Sequence, residues 1–298
     1  MAMKFRAHDT FFIRKGWLSK GLRNVKENPD VFITKDKSRN PMDVLGIGAN
    51  MVKALRYWLQ AVGLTEEPIS GKRIQTLTKL GEIVADCDPF IEELGTLWIL
   101  HYELIKDEAF APSWYFFFNE FNMMEFTREE FVQSIQKHLL MIDEQVAMRS
   151  LNDDFACIIN TYVPRAKSNP GKVSPENNID CPLGELGLLD ILSKDGKNIT
   201  YRKSIPGVDS INPWVALAVI YDQLGDSTEV SLSTLLTQPN NIGRVFNLDS
   251  ISMLELMHRA ERTELIKIVR TAGLDYAKLE PGHSYMECIA KYYEEIIQ

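Results

Sequence analysis

Cysteine is scarce and scattered in this chain of 298 residues. Cys87, Cys157, Cys181 and Cys288 form no C-x-x-C pair, which excludes a zinc ribbon and supplies no disulfide framework, so reduced structural thiols are expected. Long apolar runs are missing as well. No stretch approaches the ~18 to 20 residues that a membrane span requires, and residues 1–14 lack the apolar core of a secretory signal, so a cytoplasmic protein is expected. Common catalytic signatures are also absent. GKRIQT lacks the upstream glycine spacing of a phosphate-binding loop, and GIGANM is too short for a dinucleotide fingerprint. The chain has no HExxH, no GxSxG and no acidic pair followed by ExK. No solenoid-type period occurs.

What the chain does have is concentrated between residues 42 and 82. There a short helix signal, a glycine-broken turn, an amphipathic helix and a hairpin signal follow one another in the order of a winged helix-turn-helix. Gly46 and Gly48 stand where two helices must join steeply. Met51, Val52, Leu55, Trp58, Leu59 and Val62 recur at helical spacing, leaving Asn50, Lys53, Tyr57 and Gln60 on the opposite stripe with Arg56 beside it. Gly63 stops the helix. Pro68, Ser70 and Gly71 mark the turn of a wing carrying Lys72 and Arg73. Amide, ammonium, guanidinium and phenol groups on one stripe suit contact with phosphates and base edges. A solvated face, or a protein-docking helix-turn-helix, explains the same stripe.

Charge is unevenly divided. The chain holds 33 Lys+Arg against 41 Asp+Glu, a net charge of -8, yet residues 1–80 hold 15 against 7 and the remainder 18 against 34. The basic end includes Arg6, Arg14, Lys15, Lys20, Arg23, Lys26, Lys35, Lys37 and Arg39. Screening cuts off distant charges beyond roughly 8 Å at physiological salt, so this end attracts a polyanion despite the acidic whole. Residues 81–150, with 14 acidic and 4 basic side chains, are not expected to face DNA.

The length predicts two or three domains: a basic winged-helix domain over 1–105, a helical region over 106–165 packed on it, and a C-terminal domain over 166–298. The fold class is mainly α (α+β). Asp88-Pro89 opens a helix through Leu104 that is expected to pack on the winged helix, and Trp114 to Phe118 reads as a buried aromatic run. Thr127 and Glu130 form a capping box for a helix through Ile142. Residues 151–163 read as another helix, and 165–178 as a linker. A short helical piece at 181–189 precedes a hairpin turning at Asp195-Gly196, with Arg202 and Lys203 on its returning strand, which makes a second winged-type unit. Residues 250–260 and 263–272 read as two helices, the second capped by Gly273.

Hydrolysis of a phosphodiester needs carboxylates or histidines that hold a metal or move protons. Glu93 and His101 fall on one predicted helix face behind Asp88, and His8-Asp9 precedes Phe11-Phe12 close to the basic stretch. A helix-dipole carboxylate and a hydrogen-bonded core histidine fit the same residues.

The runs FRAHDTFFIRKGWLSKG, LGIGANMVKALRYWLQAVGL, LTKLGEIV, DPFIEELGTLWILHYELI and WYFFFNEFN with FTREE resemble the bacterial family of unknown function to which the SspB proteins of DNA phosphorothioation operons belong. The match covers about the first half of the chain. The resemblance implies an anti-phage defence role in replacing a non-bridging phosphate oxygen by sulfur, beside a cysteine desulfurase, an ATPase and a sulfurtransferase. It also implies a DNA nickase that uses Mg²⁺ or Mn²⁺ on double-stranded DNA. His8, Asp88, Glu93 and His101 lie in matched motifs and are the catalytic candidates. Arg14, Lys15, Lys20, Asn50, Lys53, Arg56, Lys72 and Arg73 are the DNA-binding candidates. A non-enzymatic winged-helix adaptor or transcriptional regulator is the competing reading, and a homodimer stays open as an oligomeric state.

Overall fold

Apolar residues at helical spacing bury one face of the first helix, α1 (Trp17–Glu27), through Trp17, Leu18, Leu22 and Val25 and leave Lys20, Arg23 and Lys26 outward or at the margin. The computed structural model describes residues 3–34, 36–68, 73–164, 180–196, 198–225, 227–271 and 274–297. Pro41 at the first position and the Asn40 side chain, which accepts from the Met42 N–H, start α2 (Pro41–Leu45). Gly46, at φ 63°, ends it in the left-handed region that a side chain disfavours, and the chain turns into α3 (Ala49–Ala61). A short antiparallel pair follows, β1 (Thr65–Glu66) with β2 (Thr76–Leu77), in register Thr65 to Leu77. The helix-turn-helix and its small wing therefore form as the sequence predicts, with α1 and α2 both packed on α3. Lys35 and the wing turn at 69–72 lie outside the described residues, as does the expected linker at 165–178.

Thr78 caps α4 (Lys79–Cys87) by accepting from the Gly81 N–H. Next comes α5 (Leu94–Lys106), apolar all round and buried along nearly its whole length, the pattern of a central rather than a surface helix. Its principal neighbours are α6 (Pro112–Tyr115), the 3₁₀ turn at Pro182–Leu186, α9 (Pro213–Leu224) and α11 (Ile242–Val245), and not α3 as expected. The all-round apolar surface lets α5 bind partners on every side, so nothing local assigns it to the winged helix.

The aromatic run is helical and buried. After α6 the backbone loosens to a π-helical turn over Phe116–Glu120, and Asn119 clamps it by donating to the Ile105 carbonyl (3.1 Å) and accepting from the Asn240 N–H (2.7 Å). β3 (Glu125–Phe126) leads to α7 (Arg128–Met141) through the predicted capping box. The Thr127 N–H donates to Glu130 (2.7 Å), and the Glu130 N–H donates to the Thr127 hydroxyl (3.3 Å). Then comes α8 (Met148–Tyr162). The predicted hairpin is present as β4 (Leu189–Asp195) and β5 (Asn198–Lys203), with β5 in the middle of a three-stranded sheet against β3. Arg202 faces solvent from it, whereas Lys203 turns inward.

The C-terminal part adds α9, β6 (Glu229–Ser231), α10 (Leu232–Thr237), α11, α12 (Ser250–Ala260), β7 (Ile266–Thr271), β8 (Leu274–Leu279) and α13 (Tyr285–Ile297), with the strands in the order β6-β8-β7. The helix expected over 263–272 is thus a strand. Ile266, Ile268, Val269 and Thr271 are β-branched, which favours the extended backbone, and Glu264 at φ 63° breaks the chain after α12. Gly273, its expected cap, lies outside the described residues. Buried apolar side chains from Ile13 to Tyr293 form one contiguous core shared by all three expected segments.

Candidate nucleic-acid interface

The turn between α2 and α3 is ringed by cations. Arg14 and Lys15 come from the segment that leads into α1, and Lys20 from the helix itself. With Trp17, Gly46 and Gly48 they line a groove of about 480 Å³. Lys20 donates to the Leu45 carbonyl at the end of α2 (2.9 Å), and the Arg14 guanidinium lies 5.3 Å from the centre of the Trp17 ring. The groove continues along α1 past Ser19, Arg23 and Lys26 to the exposed ring of Phe90. Lys26 pairs with Asp86 at 2.6 Å. Among the described residues, no carboxylate lies within ion-pair distance of Arg14, Lys15, Lys20, Arg23 or Lys53. The α3 N-terminus enters this region with no acidic residue in its first turn and no side-chain cap, so its free N–H groups add to the positive field.

The recognition stripe is shorter than the sequence suggests. Asn50 and Lys53 stand exposed on the first turn of α3, with the ammonium 3.4 Å from the Asn50 side-chain oxygen. Tyr57 does not join them. Its ring is buried, stacked on Phe110 at 5.4 Å, and its hydroxyl donates to the Phe110 carbonyl at 3.1 Å. Arg56 is held by Glu67 at 2.6 Å and donates to the Arg73 carbonyl at 3.0 Å, and Gln60 donates to the same Glu67 at 3.1 Å. Only the first turn of α3 is free for an outside partner, and recognition helices present their N-terminal residues to base edges. Arg73 is exposed beyond this clamp at φ 51°. Lys72 lies outside the described residues. Arg23 and Phe90 line the extended groove and were not among the expected contacts. The basic spacing on α1 signals the former, and no local pattern signals the latter.

The four catalytic candidates are dispersed. His8 is buried, and its Nδ1 accepts from the Thr10 N–H (3.1 Å), which leaves Nε2 to donate to Asp154 (2.8 Å). Asp154 also accepts from the Ser113 hydroxyl (2.6 Å) and the Arg6 N–H (2.9 Å). Because the serine donates to the aspartate and not to the histidine, this trio holds no activated nucleophile. Trp58 stacks on His8 at 5.8 Å and Trp114 meets it edge-on at 5.5 Å, sealing it from solvent. Asp88 is buried and accepts from the N–H groups of Glu92 (3.1 Å) and Glu93 (3.0 Å), so its carboxylate caps the entry to α5. Glu93 is exposed at the N-cap position of that helix.

His101 lies in the core between the Tyr162 hydroxyl and the Val245 carbonyl, each at 2.8 Å. Since the carbonyl can only accept, Nε2 carries the proton and Nδ1 accepts from the tyrosine. Burial brings the His101 pKa down from 6.5 to about 3, so the ring is neutral at ordinary pH. Among the described residues, no three His, Cys, Asp or Glu side chains are placed to hold a metal ion. Three of the four are engaged inside the fold: both His8 nitrogens, both His101 nitrogens and both Asp88 oxygens have hydrogen-bond partners.

The comparisons with known proteins agree with this architecture. A family model described as "Protein of unknown function (DUF4007)" matches residues 5–293. A magnesium-ion-bound SspB crystal structure is similar at a TM-score of 0.84 and 26% identity, covering 98% of this chain and 88% of that one. A second SspB crystal structure gives 0.81 at the same identity and coverage. A search of curated proteins finds no match. No helix among the described residues is long and apolar enough to cross a membrane.

Proposed function

This chain belongs to the DUF4007 family, and from that premise and its likeness to SspB we propose that it is a DNA-binding component of a bacterial phosphorothioation system. The observation that carries the reading is the set of cations around the α2–α3 turn that no carboxylate among the described residues neutralises. Arg14, Lys15 and Lys20 hold phosphates along one strand, the N–H groups of α3 approach the same backbone, and Asn50 and Lys53 reach base edges in the major groove. Counterion release makes such binding strongly salt-dependent. Partners in this reading are the ATPase, the sulfurtransferase and the desulfurase pathway that the resemblance implies.

The finer reading is that the protein nicks one strand so that sulfur can be incorporated. It is supported by the resemblance to SspB alone, since the four catalytic candidates do not meet in one place. The engagement of His8, Asp88 and His101 inside the fold favours the second reading, a winged-helix adaptor that places other enzymes on DNA. A supercoiled plasmid incubated with purified protein and Mg²⁺ or Mn²⁺ separates the two. Open circles that form with protein and metal together establish the nickase. Duplex binding without open circles in either metal establishes the adaptor, and absence of duplex binding at low salt sinks both.

A further inference from the structure

Lys203 is the least expected side chain of the core. It lies on β5, one residue after the exposed Arg202, yet only 5% of it is accessible. Its ammonium donates to the carbonyls of Phe117 and Phe121, both at 2.6 Å, and sits 4.7 Å from the centre of the Phe117 ring. The Phe117 carbonyl is available because the Phe121 N–H donates to Phe116 in the π-helical turn, a geometry that recurs at functional sites, and Phe121 follows the turn in extended backbone. An ammonium has three N–H bonds, and no third acceptor for Lys203 occurs among the described residues. No carboxylate among the described residues pairs with it, whereas buried charges are ordinarily paired.

Lys203 lines a cavity of about 380 Å³ together with Arg244, Phe121, Met124, Ile205 and Leu248, within the roughly 300–1,000 Å³ of small-ligand sites. Arg244 is held in place by the Thr237 carbonyl (3.0 Å) and the Asn122 side chain (2.6 Å), and it too has no carboxylate partner among the described residues. The nearest acid on the lining, Asp249, is exposed at the rim and accepts from the Ser252 N–H at 2.8 Å. Two cations on apolar walls, one of them buried, leave positive charge that solvent does not compensate. Burial and the Arg244 charge together bring the Lys203 pKa down from 10.5 to about 7, the mark of an ammonium lacking a counter-ion.

We propose that this cavity binds a small organic anion, a phosphate monoester on a compact apolar body, with Lys203 and Arg244 holding the phosphate. The class follows from charge: a bound anion supplies the counter-ion that keeps Lys203 protonated, and a phosphate monoester, at about -1.5 to -2 near neutral pH, matches Lys203 and Arg244 together, where a carboxylate balances one. Phe121, Met124 and Leu248 cover the body of the ligand. The site lies among the π-helical turn, β5 and the α10–α12 segment, with none of its lining residues shared with the α1–α3 groove.

Isothermal titration of the full chain with phenyl phosphate, inorganic phosphate and benzoate tests this assignment. Saturable binding of phenyl phosphate is expected, with weaker binding of inorganic phosphate and still weaker binding of benzoate. Lys203→Met and Arg244→Gln are each expected to lower phenyl phosphate affinity at least about tenfold, equivalent to ~1.4 kcal/mol, while Arg14→Gln/Lys15→Gln leaves it unchanged. Should Lys203→Met fail to fold, Arg244→Gln at the cavity rim decides alone. No saturable binding at millimolar phenyl phosphate overturns the proposal. So does binding that survives the folded cavity variants, binding lost in the Arg14/Lys15 variant instead, or a preference for benzoate.

Discussion

Within the first 20 residues the chain uses polar groups in two opposite ways. His8 and the Arg6 N–H point inward and are matched: Asp154 accepts from both and from Ser113 as well. Arg14, Lys15 and Lys20 line the groove at the α2–α3 turn and meet no carboxylate among the described residues. Matched groups in the interior hold the fold, because a buried polar atom without its partner costs about 1–3 kcal/mol. Cations without a carboxylate keep their charge for an outside polyanion, even where, as at Lys20, the ammonium also holds a backbone carbonyl. The contrast also bears on the catalytic search: a residue type that suits phosphodiester chemistry means little until its hydrogen bonds are counted.

Removing Asp154 breaks the interior side of this contrast most severely. Asp154→Ala leaves His8, Ser113 and the Arg6 N–H unpaired in the core and is expected to cost roughly 3–4 kcal/mol of stability in urea melts, while the protein that remains folded binds duplex DNA with unchanged affinity. A loss of affinity in the folded fraction would place the trio in the binding machinery.

On the groove side, Arg14→Gln/Lys15→Gln/Lys20→Gln is expected to weaken duplex binding by about a hundredfold, ~2.7 kcal/mol, and to flatten the slope of log affinity against log salt by about 2 to 3. The melting temperature should fall only slightly, since the Lys20–Leu45 hydrogen bond, worth about 1 kcal/mol, is the main contact that the fold loses. Fluorescence anisotropy across a salt series reads both quantities, and an unchanged slope would move the interface elsewhere.

A smaller effect sharpens the interior side by pH. The buried His101 has a pKa of about 3 against 6.5 when free. Between those values the unfolded chain binds one proton that the folded chain refuses. The stability associated with a neutral His101 is therefore complete above pH 6.5 and declines as pH falls below it, by up to about 1.4 kcal/mol per pH unit. Chemical denaturation from pH 7 to pH 5 should show this slope, and His101→Gln should reduce it by one proton's worth. An equal slope in both proteins would mean that His101 is not the titrating group.

Local chemistry was legible in the sequence. Thr127 and Glu130 are three residues apart and close their capping box without outside help, and Gly46 marks a backbone turn that side chains resist. The basic end was legible too, since counting charge requires no fold. Features that join distant residues were not. The His8–Asp154 bond spans 146 positions and His101–Tyr162 spans 61, so neither histidine reveals from its neighbours that both ring nitrogens are engaged. Tyr57 was placed outward by periodicity, but Phe110, 53 positions on, accepts its hydroxyl. β7 was read as a helix because a short apolar run with scattered cations fits either period, and pairing with β8 decided it. Lys203 follows the exposed Arg202 along a strand whose alternation turns it inward, and only the packing of the π-helical turn shows where its ammonium goes.

The start of α5 has a consequence for how the chain is made. The Gly95 N–H donates to the Tyr292 hydroxyl at 3.1 Å, 197 positions away, and a methyl group on Gly95 would stand 2.2 Å from that tyrosine ring. Thr96 and Tyr293 form a second such link at 2.7 Å. At roughly 5–20 residues per second of synthesis, α5 emerges some 10–40 s before the helix that completes its first turn. During that interval the first turn of α5 stands without the two tyrosines that complete it, so this end of the central helix is closed only when the last helix arrives.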